Sequence, residues 1–169
     1  MTSPHRFSCY LRRLALTLAL SAGCAAALAQ EVAALSSGQT LYLPIYSHLY
    51  HGDVHSKTGK PSETLVSTHI SIRNTDPVQS MRVTSARYFN TDGRLLREYL
   101  ASPRSIPPLG THELYVPRSD SSGGSGANFL ISWTAEKAIN PPLVEALHAD
   151  IREARTLLFV TTARPIQVR

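Results

Sequence analysis

The fold of this chain is decided by the stretch Asp120-Ser121-Ser122-Gly123-Gly124-Ser125-Gly126-Ala127-Asn128, which runs directly into Phe129-Leu130-Ile131-Ser132-Trp133. Its glycines can take positive φ at no steric cost, so the backbone can reverse sharply here. After the loop, large apolar residues alternate with smaller or polar ones at the period of a half-buried strand. We therefore predict an ordered loop that leads into a strand, with Phe129 and Trp133 in the core.

Two interpretations of this loop stay open. Successive N–H groups could form a nest for a ligand, lined by serine hydroxyls and by the Asp120 carboxylate. Alternatively, Asp120 and the serines satisfy their own backbone in a long connection between strands. The second is favoured, because Arg118 is the only basic residue near enough in sequence to attract an anion. The candidate binding residues of the loop are Asp120, Ser122, Gly123, Gly124, Ser125, Gly126 and Asn128.

The N-terminal segment, residues 1–29, has the features of a signal peptide. Arginines precede the apolar run 14–22, and a small-x-small pattern before Gln30 predicts cleavage after Ala29. The run ending at Cys24 also resembles a lipoprotein cleavage box, although Ser21 stands where an aliphatic residue is usual. We therefore expect a periplasmic or secreted protein. The alternative is a lipoprotein anchored through Cys24, and membrane contact is expected only in that case.

Cleavage after Ala29 would change the length, net charge and cysteine content of the mature chain. Removing 29 of the 169 residues leaves 140, and the formal net charge falls from +5 to +2, because the removed segment carries three arginines and no acid. So small a charge excludes a nucleic-acid-binding footprint. Both cysteines, Cys9 and Cys24, are removed, so we expect no disulfide and no thiolate chemistry. Residues 30–40 are predicted to be a short polar tether, and 41–169 a single domain.

Residues 41–51 predict a first strand with one aromatic face. Pro44 cannot donate to a strand ladder and indicates an edge strand or a bulge. The aromatic face either recognises a partner, as aromatic residues with polar tips do at interfaces, or packs beneath a neighbouring loop. At period two, one face carries Leu41, Leu43, Ile45 and Leu49, and the other carries Tyr42, Tyr46, His48 and Tyr50.

Three histidines in and after this strand suggest a metal site. His48, His51 and His55 lie close in sequence, with Asp53 between them. In an extended strand, however, His48 and His51 point to opposite faces, so they can meet on one ion only if the chain turns. The spacing matches no standard zinc motif. The competing interpretation is a set of exposed polar loop residues.

The remaining chain predicts further short strands. They cover residues 63–73, 81–89 with a bulge near 86–87, 95–100, 112–116 and 156–164, with turns at 74–77 and 90–93. The proline-rich stretch 103–110 is expected to cross from one sheet to the other. Residues 143–149 have helical composition, but 156–164 needs an antiparallel partner, so we predict strand there with a turn near 152–154. The expected fold is all-β, an antiparallel immunoglobulin-like β-sandwich of about seven or eight strands.

Several of these segments together resemble a bacterial exported family, the domain-of-unknown-function family 3124. The resemblance spans 41 to about 166 and implies an envelope-exported, single-domain, mostly β protein. The family has no assigned activity, so no catalytic residue is carried over. The matching segments are Tyr42–Ser47, Tyr50–Gly52, Ser71–Pro77, Tyr88 with Thr91–Gly93, Asp120 with Ser122–Phe129, and Asn140–Pro142 with Val144–Ala146.

The sequence indicates neither a reaction nor a cofactor, and we predict a protein that is not an enzyme. The first hypothesis is an exported interaction module that contacts an envelope protein or a cell-wall component through the tyrosine face or the glycine loop. The second is a periplasmic small-ligand or metal-binding protein that uses His48, His51 and His55. A serine hydrolase with His112 as base is disfavoured, since there is no Gly-x-Ser-x-Gly elbow.

Overall fold

The computed structural model describes residues 33–168 and is built from β-strands. Every strand pair in it is antiparallel, which confirms the predicted all-β, antiparallel class. No helix capable of crossing a membrane occurs among these residues. The predicted signal peptide, its cleavage at Ala29 and the lipidation site Cys24 lie outside the described residues. The strands are β1 (Ser36–Pro44), β2 (His48–His51), β3 (Ser62–Leu65), β4 (Ser67–Arg73), β5 (Met81–Phe89), β6 (Leu95–Glu98), β7 (Arg104–Ile106), β8 (Thr111–Val116), β9 (Asn128–Ile139), β10 (Leu143–Arg152), β11 (Arg155–Thr162) and β12 (Arg164–Ile166).

These strands form two large sheets and one hairpin. The first sheet has the order β12-β1-β9-β5-β6, with β7 also paired to β5. The second has the order β11-β10-β4-β8, and β2 pairs with β3 alone. As predicted, the proline-rich connector takes the chain from one sheet to the other, because β7 belongs to the first sheet and β8 to the second.

One hydrophobic core lies between the two large sheets. Phe129 and Trp133 are both buried, as the alternation in β9 predicts, and Tyr88 stacks on Phe129 with ring centroids 5.0 Å apart. Burial of each large aromatic side chain contributes roughly 2 to 3 kcal/mol to folding. Both sheets supply residues to this core: Leu41, Leu43, Val83, Ile131 and Trp133 come from the first, and Ile70, Ile72, Val116, Val144 and Ala146 from the second.

The first strand differs from its prediction at both ends. It begins at Ser36, so residues 36–40, expected within a polar tether, pair with β9 instead. The Thr40 hydroxyl hydrogen-bonds to that of Ser132 at 3.0 Å, which explains how polar residues are accommodated in the ladder. The strand is not an edge, because β12 and β9 flank it. Pro44 lies at its last position, where the ladder stops.

The predicted continuous strand 41–51 is broken because residues 45–47 are held by other parts of the chain. The Ile45 and Ser47 amides donate to the carbonyls of Ala127 (2.9 Å) and Gly124 (3.0 Å) in the glycine loop. The Ser47 carbonyl accepts from Val66, between β3 and β4, at 3.0 Å. This segment therefore ties the loop to the second sheet, and β2 starts anew in its own hairpin. These interruptions, with the short β7 and β12, raise the strand number above the predicted seven or eight.

Other local predictions agree with the structure, apart from the position of one bulge. The 81–89 strand has its predicted bounds, but its bulge against β9 lies between Val83 and Ser85, earlier than expected. The conflict at 143–149 resolves as strand, because β10 pairs with β4 on one side and β11 on the other. Its inward positions alternate from Val144 to Asp150, and a turn at 153–154 follows.

The glycine loop is tightly packed at Gly123. A Cβ added there would collide with the Tyr88 hydroxyl oxygen and would lie 2.8 Å from the Ala127 side chain. At Gly126 the nearest atom to an added Cβ is the Thr91 methyl group, at 3.1 Å. The site is thus closed to a side chain at Gly123, whereas at Gly126 a shift of the Thr91 methyl group by a few tenths of an ångström would make room for one.

We predict that Gly123→Ala lowers the free energy of unfolding by about 2 kcal/mol or more, because overpacking a closed site forces the backbone to shift. Gly126→Ala is the matched control and should cost less than about 1 kcal/mol. Urea unfolding of both variants measures the difference. Equal stability of the two would contradict the close approach of Gly123 to Tyr88.

Candidate functional site

The predicted aromatic face does not form one surface on one strand. Tyr42 lies in β1 and is partly exposed, whereas Tyr50 lies in the β2–β3 hairpin with 55% of its surface exposed. Tyr46 turns toward the second sheet, where its ring packs edge-on against His148 and Phe159, with ring centroids 5.7 Å and 5.6 Å apart. Of the three tyrosines, Tyr50 is therefore the one most available to a partner.

The histidines proposed as metal ligands each have a different neighbour. His48 packs edge-on against Tyr50, with ring centroids 4.8 Å apart. His51 shares a 3.0 Å hydrogen bond with Thr64, and His55 shares one of 3.2 Å with Ser62. Among residues 33–168, no three histidine, cysteine, aspartate or glutamate side chains converge closely enough to hold a metal ion. Metal binding by His48, His51 and His55 stays a prediction without geometric support.

The glycine loop uses several of its donors internally. The amide and hydroxyl of Ser122 donate to Asp120, and the Gly126 amide donates to the Thr91 hydroxyl at 3.0 Å. The Gly124 amide, whose residue has φ of +80°, bonds the Ser121 carbonyl at 3.3 Å. Ser125 and Asn128 belong to the same segment, and Asn128 opens β9. Ligand binding by this loop stays a prediction, and its described bonds serve the fold.

A cluster of three arginines surrounds one buried carboxylate on β10. Asp150 is 2% exposed. The Nε atom of Arg152 lies 3.0 Å from its Oδ1, and that of Arg118, from the β8–β9 connection, lies 3.4 Å from the same oxygen. Arg155 at the start of β11 contributes an Nη2 atom 2.9 Å from Oδ2. A buried charge must be paired to be tolerated, and Asp150 is paired on both oxygens.

These guanidinium groups keep Asp150 ionised. The hydrogen bond from Arg152 is the largest influence and holds the pKa of the carboxyl below its ordinary value, against the opposing effect of burial. The other ends of the arginines remain accessible, because the three side chains are about half exposed. We call Arg118, Arg152 and Arg155 the arginine cluster.

A cleft opens beside the arginine cluster, between the β2–β3 hairpin and β11. Its volume is about 350 Å³, within the usual range of small-molecule sites. Arg155 and Thr64 line it at the side of the cluster, and their side chains are 3.5 Å apart. The rest of the lining is largely apolar or aromatic: Leu49, Tyr50, His51, Thr156 and Leu157. The cleft thus combines apolar walls with one arginine of the cluster, Arg155, at its edge.

A larger cleft of about 540 Å³ lies at the other sheet, where β5, β7 and β9 meet. Its ionisable residues, Arg82 and Glu136, are both exposed. No buried ionisable side chain lines it within the described range, and it contains no aromatic residue. The cleft beside the arginine cluster is therefore the stronger candidate for a site.

His148 is a second buried ionisable residue on the inner face of β10, two positions from Asp150. Its Nε2 accepts the Tyr46 amide hydrogen at 3.1 Å, so the proton of the neutral ring lies on Nδ1. The ring stacks on Phe159 with centroids 4.3 Å apart and planes 3° from parallel. Burial lowers the pKa of His148 to about 4. It is a neutral core residue that fixes Tyr46 beside the second sheet.

Sequence reasoning missed Asp150, His148 and the arginine cluster. The available signal was the alternation of β10: once Val144 and Ala146 are placed inward, His148 and Asp150 follow at inward positions. Ionisable residues rarely occupy such positions unless they are paired. Arg118 was considered only as a neighbour of the glycine loop, since nothing local shows that it reaches β10.

We predict that His148 makes the protein less stable in acid. Its pKa is near 6.5 when unfolded and about 4 when folded, so below pH 6.5 the unfolded chain binds the proton more readily. Unfolding free energy should therefore fall by up to about 3 kcal/mol as the pH drops from 6.5 to 4.

Urea unfolding of the wild type and of His148→Gln across this pH range isolates the effect. His148→Gln should flatten the pH dependence whatever its stability at neutral pH. A wild-type slope retained in His148→Gln would contradict the assignment. Asp150 affects stability only at lower pH. Because its pKa is lower in the folded protein than in the unfolded chain, its contribution to stability is lost only as the pH falls below the pKa of the unfolded chain.

Three comparisons relate the chain to known proteins. A search of curated proteins gives no match. Among solved structures, the crystal structure of Thermotoga maritima 1070 is similar, with 9% sequence identity, a TM-score of 0.38, and coverage of 75% of this chain and 92% of that one. The family DUF3124, described as a protein of unknown function, matches residues 38–166, in agreement with the resemblance noted in the sequence. Since the match covers most of the 169 residues, the chain belongs to the DUF3124 family.

Proposed function

We propose that this protein is a non-enzymatic, exported binding module of the cell envelope. The observation that carries the proposal is the cleft between the β2–β3 hairpin and β11, where Tyr50 and Leu157 provide apolar surface next to Arg155. Concave apolar sites with a few convergent polar groups are typical of ligand and partner binding. The partner would be an envelope protein or a cell-wall component.

The strand order supports an immunoglobulin-like variant of the sandwich. In such folds the second and fifth strands pair in one sheet, and the third and sixth in the other. If β4 and β5 are taken as the second and third strands, and β8 and β9 as the fifth and sixth, the pairs β4–β8 and β5–β9 have this relationship. Two positions are exchanged, because β1 lies beside β9, where the immunoglobulin fold has its last strand, and β10 lies beside β4, where it has its first. Folds of this type serve many functions, so the site and not the fold carries the proposal.

Export is supported by the sequence of residues 1–29. The arginines before an apolar run, and the small residues before Gln30, are features of a cleaved leader. Loss of both cysteines with the leader suits a domain that depends on its core instead of disulfides. Soluble periplasmic or secreted protein is the proposed product, and anchoring through Cys24 is the alternative.

A binding role is also supported over a hydrolytic one by the glycine loop. A serine nucleophile needs a base within hydrogen-bond reach. The Ser122 hydroxyl bonds to Asp120, and in the described chain neither Ser122 nor Ser125 bonds to a histidine. His112 lies on β8, and burial lowers its pKa.

We predict that Tyr50→Ala weakens capture of the envelope partner by the tagged mature protein. Tyr115→Ala is the matched control, because Tyr115 is equally exposed, at 57% against 55%, but lies on the outer face of β8. An exposed aromatic at a binding site is a typical hot spot, so the loss should reach about 2 kcal/mol, or roughly 30-fold. Crosslinking in envelope extract, followed by quantification of the captured species, measures it. Equal capture by wild type and both variants would contradict the proposed surface.

A further inference from the structure

We infer that the arginine cluster binds the anionic group of a small amphiphilic ligand, a carboxylate or a phosphate ester, whose apolar part lies in the neighbouring cleft. This inference rests on the proposed binding role and adds the chemistry of its ligand. It starts from an imbalance of charge, because three guanidinium groups converge on the single carboxylate of Asp150.

Asp150 alone does not account for this number of arginines. One bidentate arginine can satisfy a carboxylate on both oxygens. Here each arginine places a single nitrogen near the Asp150 carboxylate. Asp150 and the arginine cluster together carry three positive charges against one negative charge. Like charges held this close repel one another, and a second anion on the exposed side would relieve that repulsion.

The unused donors of the cluster are accessible. A guanidinium has five N–H donors in a fixed fork. The single Nε–H of Arg118 donates to the Leu65 carbonyl at 3.3 Å, and Nη2 of Arg155 donates both to Asp150 and, at 3.5 Å, to the Thr64 hydroxyl. The three side chains are 47%, 49% and 52% exposed, so their remaining N–H groups can reach an incoming anion.

No other carboxylate of the described chain neutralises the cluster. Glu153 lies in the turn between Arg152 and Arg155, and Glu63 lies on β3 opposite Tyr50. Both are exposed, and neither forms an ion pair with the three arginines within the described residues. The excess positive charge is therefore available to a ligand.

The cleft indicates what the anion is attached to. Leu49, Tyr50 and Leu157 give it apolar walls, and Arg155 stands at its edge. A ligand with a charged group and a short apolar or aromatic body would fill both parts. A volume of about 350 Å³ suits a compact molecule better than a long lipid chain.

Three probes with one aromatic body test the inference: 3-phenylpropionate, 2-phenylethyl phosphate and the neutral 3-phenylpropionamide. Isothermal titration of the mature protein should show that at least one of the two anions binds about 10-fold more tightly than the amide, because charge-assisted hydrogen bonds are stronger than neutral ones. Binding of that anion should weaken as salt is added. The relative affinity of the two anions identifies the headgroup.

Paired variants locate the site. Arg152→Gln leaves Arg118 and Arg155 on Asp150 and should weaken anion binding about 5-fold or more. Arg73→Gln is the control, since Arg73 is similarly exposed and pairs with Glu145 at a distance from the cleft. It should change affinity by less than about 2-fold. Leu157→Ala should weaken the amide and the anions alike.

Three results would overturn the inference: an amide that binds as tightly as both anions, failure of both anions to bind at 10 mM, or equal losses in Arg152→Gln and Arg73→Gln. Each can occur while partner capture still depends on Tyr50, in which case the binding module stands and only its anion specificity fails. Loss of Tyr50-dependent capture, with selective anion binding retained, would instead contradict the proposed partner surface alone.

Discussion

The structure depends on the burial of one face of β9. This strand is paired on both sides, to β1 and to β5, so its inward residues lie at the middle of the first sheet. Phe129, Ile131 and Trp133 cover the second sheet from there, and all three are at most 1% exposed. Apolar burial is the main favourable contribution to folding, and here it is concentrated in a strand that follows a glycine-rich loop.

That arrangement explains how a candidate site arises at the edge of the core. Carbonyl groups of the glycine loop before β9 accept hydrogen bonds from the amides of Ile45 and Ser47, so the chain cannot continue β1 into a longer strand. It leaves the first sheet and forms the β2–β3 hairpin, which returns to β4 near Asp150. The cleft lies between this hairpin and β11. The packing of the glycine loop and the shape of the cleft are thus both consequences of the connection between β1 and β2.

Much of the fold could be predicted from the sequence, because strand alternation is local. The inward residues Phe129 and Trp133 of β9 were identified correctly, and so was the strand at 143–149. The breaks at 45–47 and at Val66 could not be predicted, since they are caused by hydrogen bonds from distant segments. The arginine cluster was missed for the same reason. Arg152 and Arg155 are cross-strand partners beside the β10–β11 turn, and Arg118 comes near them only through the order of strands in the second sheet.

The core is built around the indole of Trp133, which is buried between the two sheets. Because the chain contains a single tryptophan, its fluorescence reports on this one environment. The decisive measurement is the emission spectrum of the folded mature protein, with quenching by acrylamide, before and after denaturation. A buried Trp133 should give blue-shifted emission that resists quenching and moves to the red on unfolding. Emission of a hydrated indole, freely quenched in the folded protein, would contradict it.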